Sequence, residues 1–500
     1  MRHQRVQCVA LALALVSLTS AKRTHDPRPR IDSKKLQGDI TTEGLMANLV
    51  ALNNIALDNG GNRAFGLPGY QASVDYVYQK VSNIPHTKPW KQSFSGLFNR
   101  IESLDLRIDG EPIYVSGLTY SPSTAKEGLA AEVVHGPEGI SGCNDTSYKD
   151  LDVSGKVVLI QRWRCDTGGT LAGRMVPAAR AGAAAVIIYN DAEANVTGGT
   201  LSAQSPDHVP GGFINLADGL KIKERLAAGD RVQAYFQQTQ IVEQRKTENV
   251  FVETEGGDAE NVIVLGAHLD SVQAGAGIND DGSGTSLLLE LSRAASRYQT
   301  KNKVRFAWWG AEENGLLGSK HYCSSLNATE ANSILAYLNF DMVSRGYFGV
   351  GDGDGSTHGS VAPPGSDVIE RIYVEHFASQ GITVTPAVIT NGSDYASFWK
   401  ILNKPFGYLH TGTGAAQDPC YHKGCDNIDN PNPETITINA RAAAHMLATL
   451  SEDGVSLIPK STINATASIV SRSTDAMFDF VDMEALARMG EQHAGCHHEA

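Results

Sequence analysis

"VRFAWWGAEENGLLGS", Val304 to Ser319, is the stretch on which the reading of the fold turns. It opens as a continuous apolar and aromatic run and ends in two adjacent carboxylates, Glu312 and Glu313. A short unbroken apolar run with β-branched and aromatic residues reads as a strand buried on both faces. Such strands belong to parallel sheets covered by helices. Two acids at the end of one strand repel each other, so the site needs a counter-charge.

Moving outward, the same texture recurs from Asn249 onward. "NVIVLGAHLD", "ILAYLNFDMV" and "KPFGYLHTGTG" read as further buried strands. "SGTSLLLELSRAASRY" and "GSDVIERIYVEHFASQG" read as the helices between them. The expected fold class is therefore α/β, with a mixed, mostly parallel sheet flanked by helices. On the N-terminal side, "TTEGLMANLVALNNIALDN" carries apolar residues at helical spacing with Thr41 as its cap, "GYQASVDYVYQKV" is a second helix and "IESLDLRID" a strand. Between about 121 and 238 short strands alternate with Gly-rich turns, "KVVLIQR", "AAAVIIYND" and "VPGGFINLADGL" among them. That block reads as a β-rich module inserted into the larger domain.

Polar residues cluster at the strand ends. His268 and Asp270 follow the first strand, and Asp280 and Asp281 the next loop. Glu312 and Glu313 end the quoted stretch, Asp341 follows "ILAYLNF", and His422 follows the last strand. The carboxyl edge of a parallel sheet is where such folds bind ligands. Converging carboxylates need a cation, and carboxylates with two imidazoles are zinc donors. One carboxylate bridges two ions roughly 3.5–4 Å apart, and a water between them is acidified and needs a base beside it. In this reading one glutamate of the opening pair holds metal and the other takes the proton.

"GAHLDSV", "GINDDGSG", "GAEENGLLGS", "NFDMV" and "CYHKGC" in this order resemble the exported two-zinc aminopeptidases, the group that includes aminopeptidase Y and the fungal secreted leucine aminopeptidases. The resemblance covers about 41–120 and 240–455. It implies a zinc exopeptidase fold and two zinc ions per chain. His268 and Asp341 would hold one ion, Glu313 and His422 the other, and Asp280 would bridge them. Glu312 would be the general base, and Asp270 would hydrogen-bond His268 and set its tautomer. Tyr421 would stabilise the oxyanion of the tetrahedral intermediate. Asp281 competes with Asp280 for the bridge, and Asp394 in "TNGSDYASFW" supports the site. Asn391-Gly392 stands where some relatives carry an arginine. The inserted block resembles a protease-associated domain at "GKVVLIQR", "AARAGA" and "VIIYND". A glutamate-carboxypeptidase type shares this fold but is longer and membrane-anchored, and a receptor-like binding protein on the fold would have lost metal ligands.

The remaining features concern export and partners. "MRHQRVQCVALALALVSLTSA", 1–21, reads as a signal peptide with an apolar core too short to cross a membrane, followed by the dibasic pair Lys22-Arg23. Residues 22–40, basic and Pro-rich, read as a flexible propeptide or linker, and 456–500 as a polar tail ending in "CHHEA". With Cys8 removed, six cysteines remain, for which Cys143–Cys165 and Cys420–Cys425 are the expected bridges, with Cys323 and Cys496 unassigned. Asn144, Asn195, Asn327, Asn391 and Asn464 are glycan acceptors by triplet. "GDGDGSTHGS" resembles the start of a calcium loop, but its twelfth position is Pro363, so it reads as a polar turn. The formal net charge of -13 argues against nucleic acid and anionic membrane as partners. The expectation is a monomer without a membrane anchor, acting on peptides or proteins with a free N-terminus. Its destination is extracellular or a vacuolar or lysosome-like lumen.

Overall fold

The computed structural model describes residues 26–462 except 194, 197 and 202. The signal stretch, Lys22-Arg23, Cys8, Cys496, Asn464 and the tail beyond 462 lie outside the described residues. Within them, four parallel strands form the centre of the sheet. Phe406–His410 pairs with Ile334–Phe340, which pairs with Asp258–His268, which pairs with Asn302–Trp309. The quoted apolar run is thus a strand whose residues Phe306 to Trp309 are at most 3% exposed. Helices Gly282–Ala295 and Pro433–Leu457 contribute to the larger core on one face, and the aromatic cluster of Trp309, Tyr322, Tyr337 and Phe398 fills the other. Gly282–Ala295 starts where Asp281 accepts from Gly284 N at 2.8 Å. A Cβ on Gly284 would sit 2.2 Å from Phe340 O and 2.6 Å from both Asp281 carboxylate oxygens, so the cap requires glycine there.

Two long antiparallel strands, Thr87–Ile108 and Gln233–Thr254, form a ribbon on the edge of this sheet. Gln233–Thr254 pairs with Asn302–Trp309 near one end and with Leu129–His135 near the other. From Leu129–His135 a second group of parallel strands continues through Val157–Gln161, Ala185–Tyr189 and Gly211–Ile214. The inserted β-rich block therefore joins the peptidase sheet through the ribbon, and residue 238 falls inside a strand rather than at a break. Among the described residues no helix is long and apolar enough to cross a membrane.

The stretch read as a flexible linker is corrected from Asp26 onward. Ile31 N donates to Gln299 O at 2.9 Å, Arg28 Nη1 to Ser296 O at 2.9 Å, and Ser33–Gly38 is a helix packed on Pro433–Leu457. The cause is three apolar residues among the basic ones. Ile31, Leu36 and Ile40 are at most 6% exposed, and burying each is worth about 1.5–3 kcal/mol.

Ser33 also meets a stacked histidine pair, of which His376 is buried and His445 half-buried. Its Oγ lies 2.8 Å from His445 Nδ1, and the rings of His445 and His376 stack with centroids 4.3 Å apart. Burial, and then the charge of His445, bring His376 down to about 4. The unfolded chain takes up that proton near the ordinary value of about 6.5. Stability from His376 is therefore present in full above about 6.5 and falls away as the pH drops from there through about 4. Between pH 7.5 and pH 5, His376→Phe should lose less melting temperature than the parent, by about 2 °C. Parallel melting curves for the two proteins across that range would discard the assignment.

Candidate metal centre

The four central strands bring the predicted residues to one edge. His268 ends Asp258–His268 and is paired in register with Trp309. Glu312 and Glu313 follow Trp309 by one turn, and Asp341 directly follows Ile334–Phe340. His422 arrives on the loop after Phe406–His410, where Cys420 and Cys425 are bridged. His268, Asp280, Glu312, Glu313, Asp341 and His422 line one pocket, with Tyr421, Met342, Tyr408 and His410 completing its wall.

One carboxylate stands between the two imidazoles. Asp280 Oδ1 is 3.1 Å from His268 Nε2, and Asp280 Oδ2 is 3.1 Å from His422 Nε2. On the first side Asp341 Oδ1 lies 3.7 Å from His268 Nε2, and on the second Glu313 Oε2 lies 3.2 Å from His422 Nε2. Glu313 Oε1 is buried with no hydrogen-bond partner, an arrangement that costs free energy unless something positive meets it. Ligand atoms of Asp280, Glu313 and His422 lie within 4.8 Å of one another. The donor set, imidazole nitrogen with carboxylate oxygen around a shared carboxylate, is that of a dinuclear zinc site.

The two neighbouring aspartates divide the work. Asp281 is fully buried and accepts from His268 N, Gly284 N and Met342 N, so its oxygens are committed to backbone. Asp270 departs from the expected contact. His268 Nδ1 lies 3.1 Å from the backbone carbonyl of Asp270, while the Asp270 carboxylate is 3.8 Å away. That carboxylate instead accepts from Glu312 N at 3.0 Å and Glu313 N at 3.3 Å. A carbonyl accepts only, so it sets the histidine tautomer as a carboxylate would. The carboxylate is freed to aim the glutamate turn, which begins at the left-handed Ala311, φ 57°. Met342, φ 55°, and His422, φ 56°, share that conformation. Non-glycine residues held there cluster at functional sites and cost about 1–3 kcal/mol each.

Several supporting residues escaped the sequence reading. Trp309 Nε1 donates to Tyr337 OH, Tyr337 OH to Asn339 Oδ1, Asn339 Nδ2 to Ser393 Oγ, and Ser393 Oγ to Asp341 Oδ2 at 2.5 Å. Ser393, rather than its neighbour Asp394, is what touches the site carboxylate. Asp394 is 1% exposed and its Oδ1 has no hydrogen-bond partner. Asp426 accepts from Asn279 N at 2.8 Å and Asp280 N at 3.0 Å, and Asp418 from Asn279 Nδ2 at 2.7 Å and Cys420 N at 2.9 Å. The two acids bracket the disulfide loop in "DPCYHKGCD", and that symmetry was the available signal.

Electrostatics follow from burial and crowding. Burial lifts Glu312 well above the carboxylate range, against the pull of His268 and with the push of Glu313. It raises Asp270 to about 6 and Asp426 to about 7. Burial disfavours charge on His268 and His422, but the surrounding carboxylates hold both well above the ordinary value. Tyr421 stacks on His422 at 3.8 Å, and burial followed by the nearby carboxylates keeps its phenol protonated. Cys143 is bridged to Cys165 in the inserted block, and Cys323 is buried and free.

Comparison with known proteins agrees with the architecture. Residues 249–447 match the model of peptidase family M28, and residues 129–222 match that of the PA domain. The chain is 34% identical over 466 residues to leucine aminopeptidase 2 of Trichophyton rubrum, covering 88% of this chain and 92% of that protein. It is 37% identical over 470 residues to a probable leucine aminopeptidase 2 of Aspergillus oryzae, covering 89% and 91%. Among solved structures, an aminopeptidase from Aneurinibacillus sp. strain AM-1 aligns with a TM-score of 0.71 at 25% identity, over 87% of this chain and 99% of that one. BSAP, a zinc aminopeptidase from Bacillus subtilis, shares the fold with a TM-score of 0.63 at 22% identity, over 83% and 96%. With its peptidase sheet, its inserted PA domain and relatives above 30% identity over most of their length, the chain belongs to peptidase family M28.

Proposed function

We propose that the protein is an exported two-zinc aminopeptidase that removes N-terminal residues from peptides. The observation that carries this reading is the single carboxylate of Asp280 set 3.1 Å from each of two imidazoles, with Glu312 in the same pocket. His268 and Asp341 would hold one ion, Glu313 and His422 the other, and Asp280 would be shared between them. Zinc held there would supply an acidified water and polarisation of the scissile carbonyl. Glu312 takes the proton of the attacking water and delivers it to the departing amine. The Tyr421 hydroxyl, protonated in this setting, donates to the developing oxyanion. The carboxylates of the pocket wall attract the substrate's free ammonium group.

The relatives' names support aminopeptidase activity, and the leucine aminopeptidases among them favour apolar N-terminal residues as first substrates to try. Export is supported by the 1–21 stretch and by the two disulfides, which persist in oxidising compartments. The protein acts as a monomer in this reading. The test is a panel of aminoacyl anilides together with N-acetylated controls, run before and after chelation. Activity should require a free amine, vanish with the chelator and return with zinc. Elemental analysis should find two zinc ions per chain, and full activity with one ion or none would sink the dinuclear assignment.

A further inference from the structure

Behind the metal centre lies a guanidinium that the sequence reading did not single out. Arg63 sits between helices Thr42–Asp58 and Pro68–Ser82 and is 0% exposed. Its Nε donates to Ala276 O at 2.9 Å, its Nη2 to Gly277 O at 2.6 Å, and its Nη1 to Leu269 O. Its backbone N–H donates to Ser271 Oγ at 2.9 Å, and its carbonyl accepts from Ser271 N at 3.4 Å. Every one of these partners lies in the segment 269–277. That segment begins one residue after His268 and ends three residues before Asp280. One planar group therefore ties the start of the connecting loop to its end.

The choice of partners is unusual for a buried charge. Buried arginines generally meet a carboxylate directly. Arg63 directs its donors at neutral carbonyls, and among the described residues no carboxylate hydrogen-bonds it. Asp270, Asp281, Asp426 and Asp280 act on it only through space. A fixed fork of donors can span carbonyls at both ends of a loop, which a lysine's single ammonium cannot reproduce. The far side of the same loop is also closed, because a Cβ on Gly275 would sit 2.4 Å from Lys423 O in the disulfide loop. The segment is held between Arg63 and the loop that carries His422.

We propose that Arg63 is a positioning residue of the metal centre: it sets the separation of His268 and Asp280, and its permanent positive charge offsets the carboxylates gathered in front of it. The proposal rests on the zinc reading above. It is tested with the full chain as Arg63→Lys, alongside the parent. Three quantities are measured: zinc affinity of the metal-free protein by competition with a chromophoric chelator, melting temperature without metal, and kcat and KM at saturating zinc. Zinc affinity should fall about 10–100-fold, the range seen when outer partners of a metal site are removed. At saturating zinc, kcat should fall by about tenfold while KM changes by less than about threefold, as for a defect expressed in the transition state. A variant that melts lower but binds zinc and turns over like the parent would overturn the proposal. So would failure of Arg63→Lys to fold, which would make Arg63 a requirement of the fold rather than of the site. A parent protein that binds no zinc would instead reject the metal reading itself.

Discussion

Glu312→Gln should retain both zinc ions and lose nearly all turnover. Its backbone is held independently of its side chain, because Glu312 N donates to Asp270 Oδ1 at 3.0 Å. Glutamine fills the same volume in the pocket wall, so the turn keeps its shape. An amide, however, cannot accept the proton of the attacking water. Loss of a general base costs roughly 10²–10⁴ in rate, and the melting temperature should hardly move. Glu313→Gln, one residue on, should behave differently. Glu313 Oε2 faces His422 Nε2 at 3.2 Å and its Oε1 is buried without a partner, in keeping with the ligand role proposed for it. Removing its charge weakens one zinc, because a neutral amide oxygen is a poorer donor. Its activity should recover in part as zinc is added, while that of Glu312→Gln should not. The measurement is zinc content and turnover of both variants across a zinc titration. If Glu312→Gln is the one that loses metal and is rescued, the two roles are reversed.

The contrast between these neighbours was legible because it is written locally. An apolar strand that ends in polar residues announces both its burial and its useful end, and four such strands sufficed to gather the candidate ligands. The ribbon was harder to see. Only its segment near "IESLDLRID" looked like a strand, since "TKPWKQSFSGLFNR" spaces Trp90, Phe94, Leu97 and Phe98 with neither strict alternation nor a continuous apolar run. Its partner strand lies more than a hundred residues away, and no local signal reports such a pairing. The same holds for residues 26–40, whose basic composition outweighed three well-spaced apolar side chains. Asp270 illustrates another limit. The family resemblance implied a side-chain contact with His268, but the backbone carbonyl lies nearer the imidazole and the carboxylate turns to the Glu312–Glu313 amides. Arg63 had no signal at all, because its meaning lies in a loop about two hundred residues downstream.

Asp280 and Asp281 pose the sharpest case, for they are the same residue type in adjacent positions. Nothing in their chemistry says which one bridges. The hydrogen bonds distinguish them. Asp281 points its oxygens at three backbone N–H groups, and Asp280 points one oxygen at each imidazole. Asp280→Asn should therefore cost both metals at once. A four-ligand structural zinc is bound with about 10–16 kcal/mol, so one ligand carries roughly 3 kcal/mol, or about a hundredfold in affinity for each ion. Asp281→Asn should show the opposite pattern. An amide offers one oxygen where the carboxylate offered two, so at least one of the N–H groups from His268, Gly284 and Met342 is left buried and unpaired, at about 1–3 kcal/mol. The start of helix Gly282–Ala295 loosens with it. Its melting temperature should fall with or without metal, while zinc stoichiometry at saturation stays at two. The two variants thus separate along different axes, zinc content for one and metal-independent stability for the other. If Asp281→Asn abolishes binding of both ions while Asp280→Asn retains them, the bridge belongs to Asp281 and the assignment of the dinuclear centre must be redrawn around it.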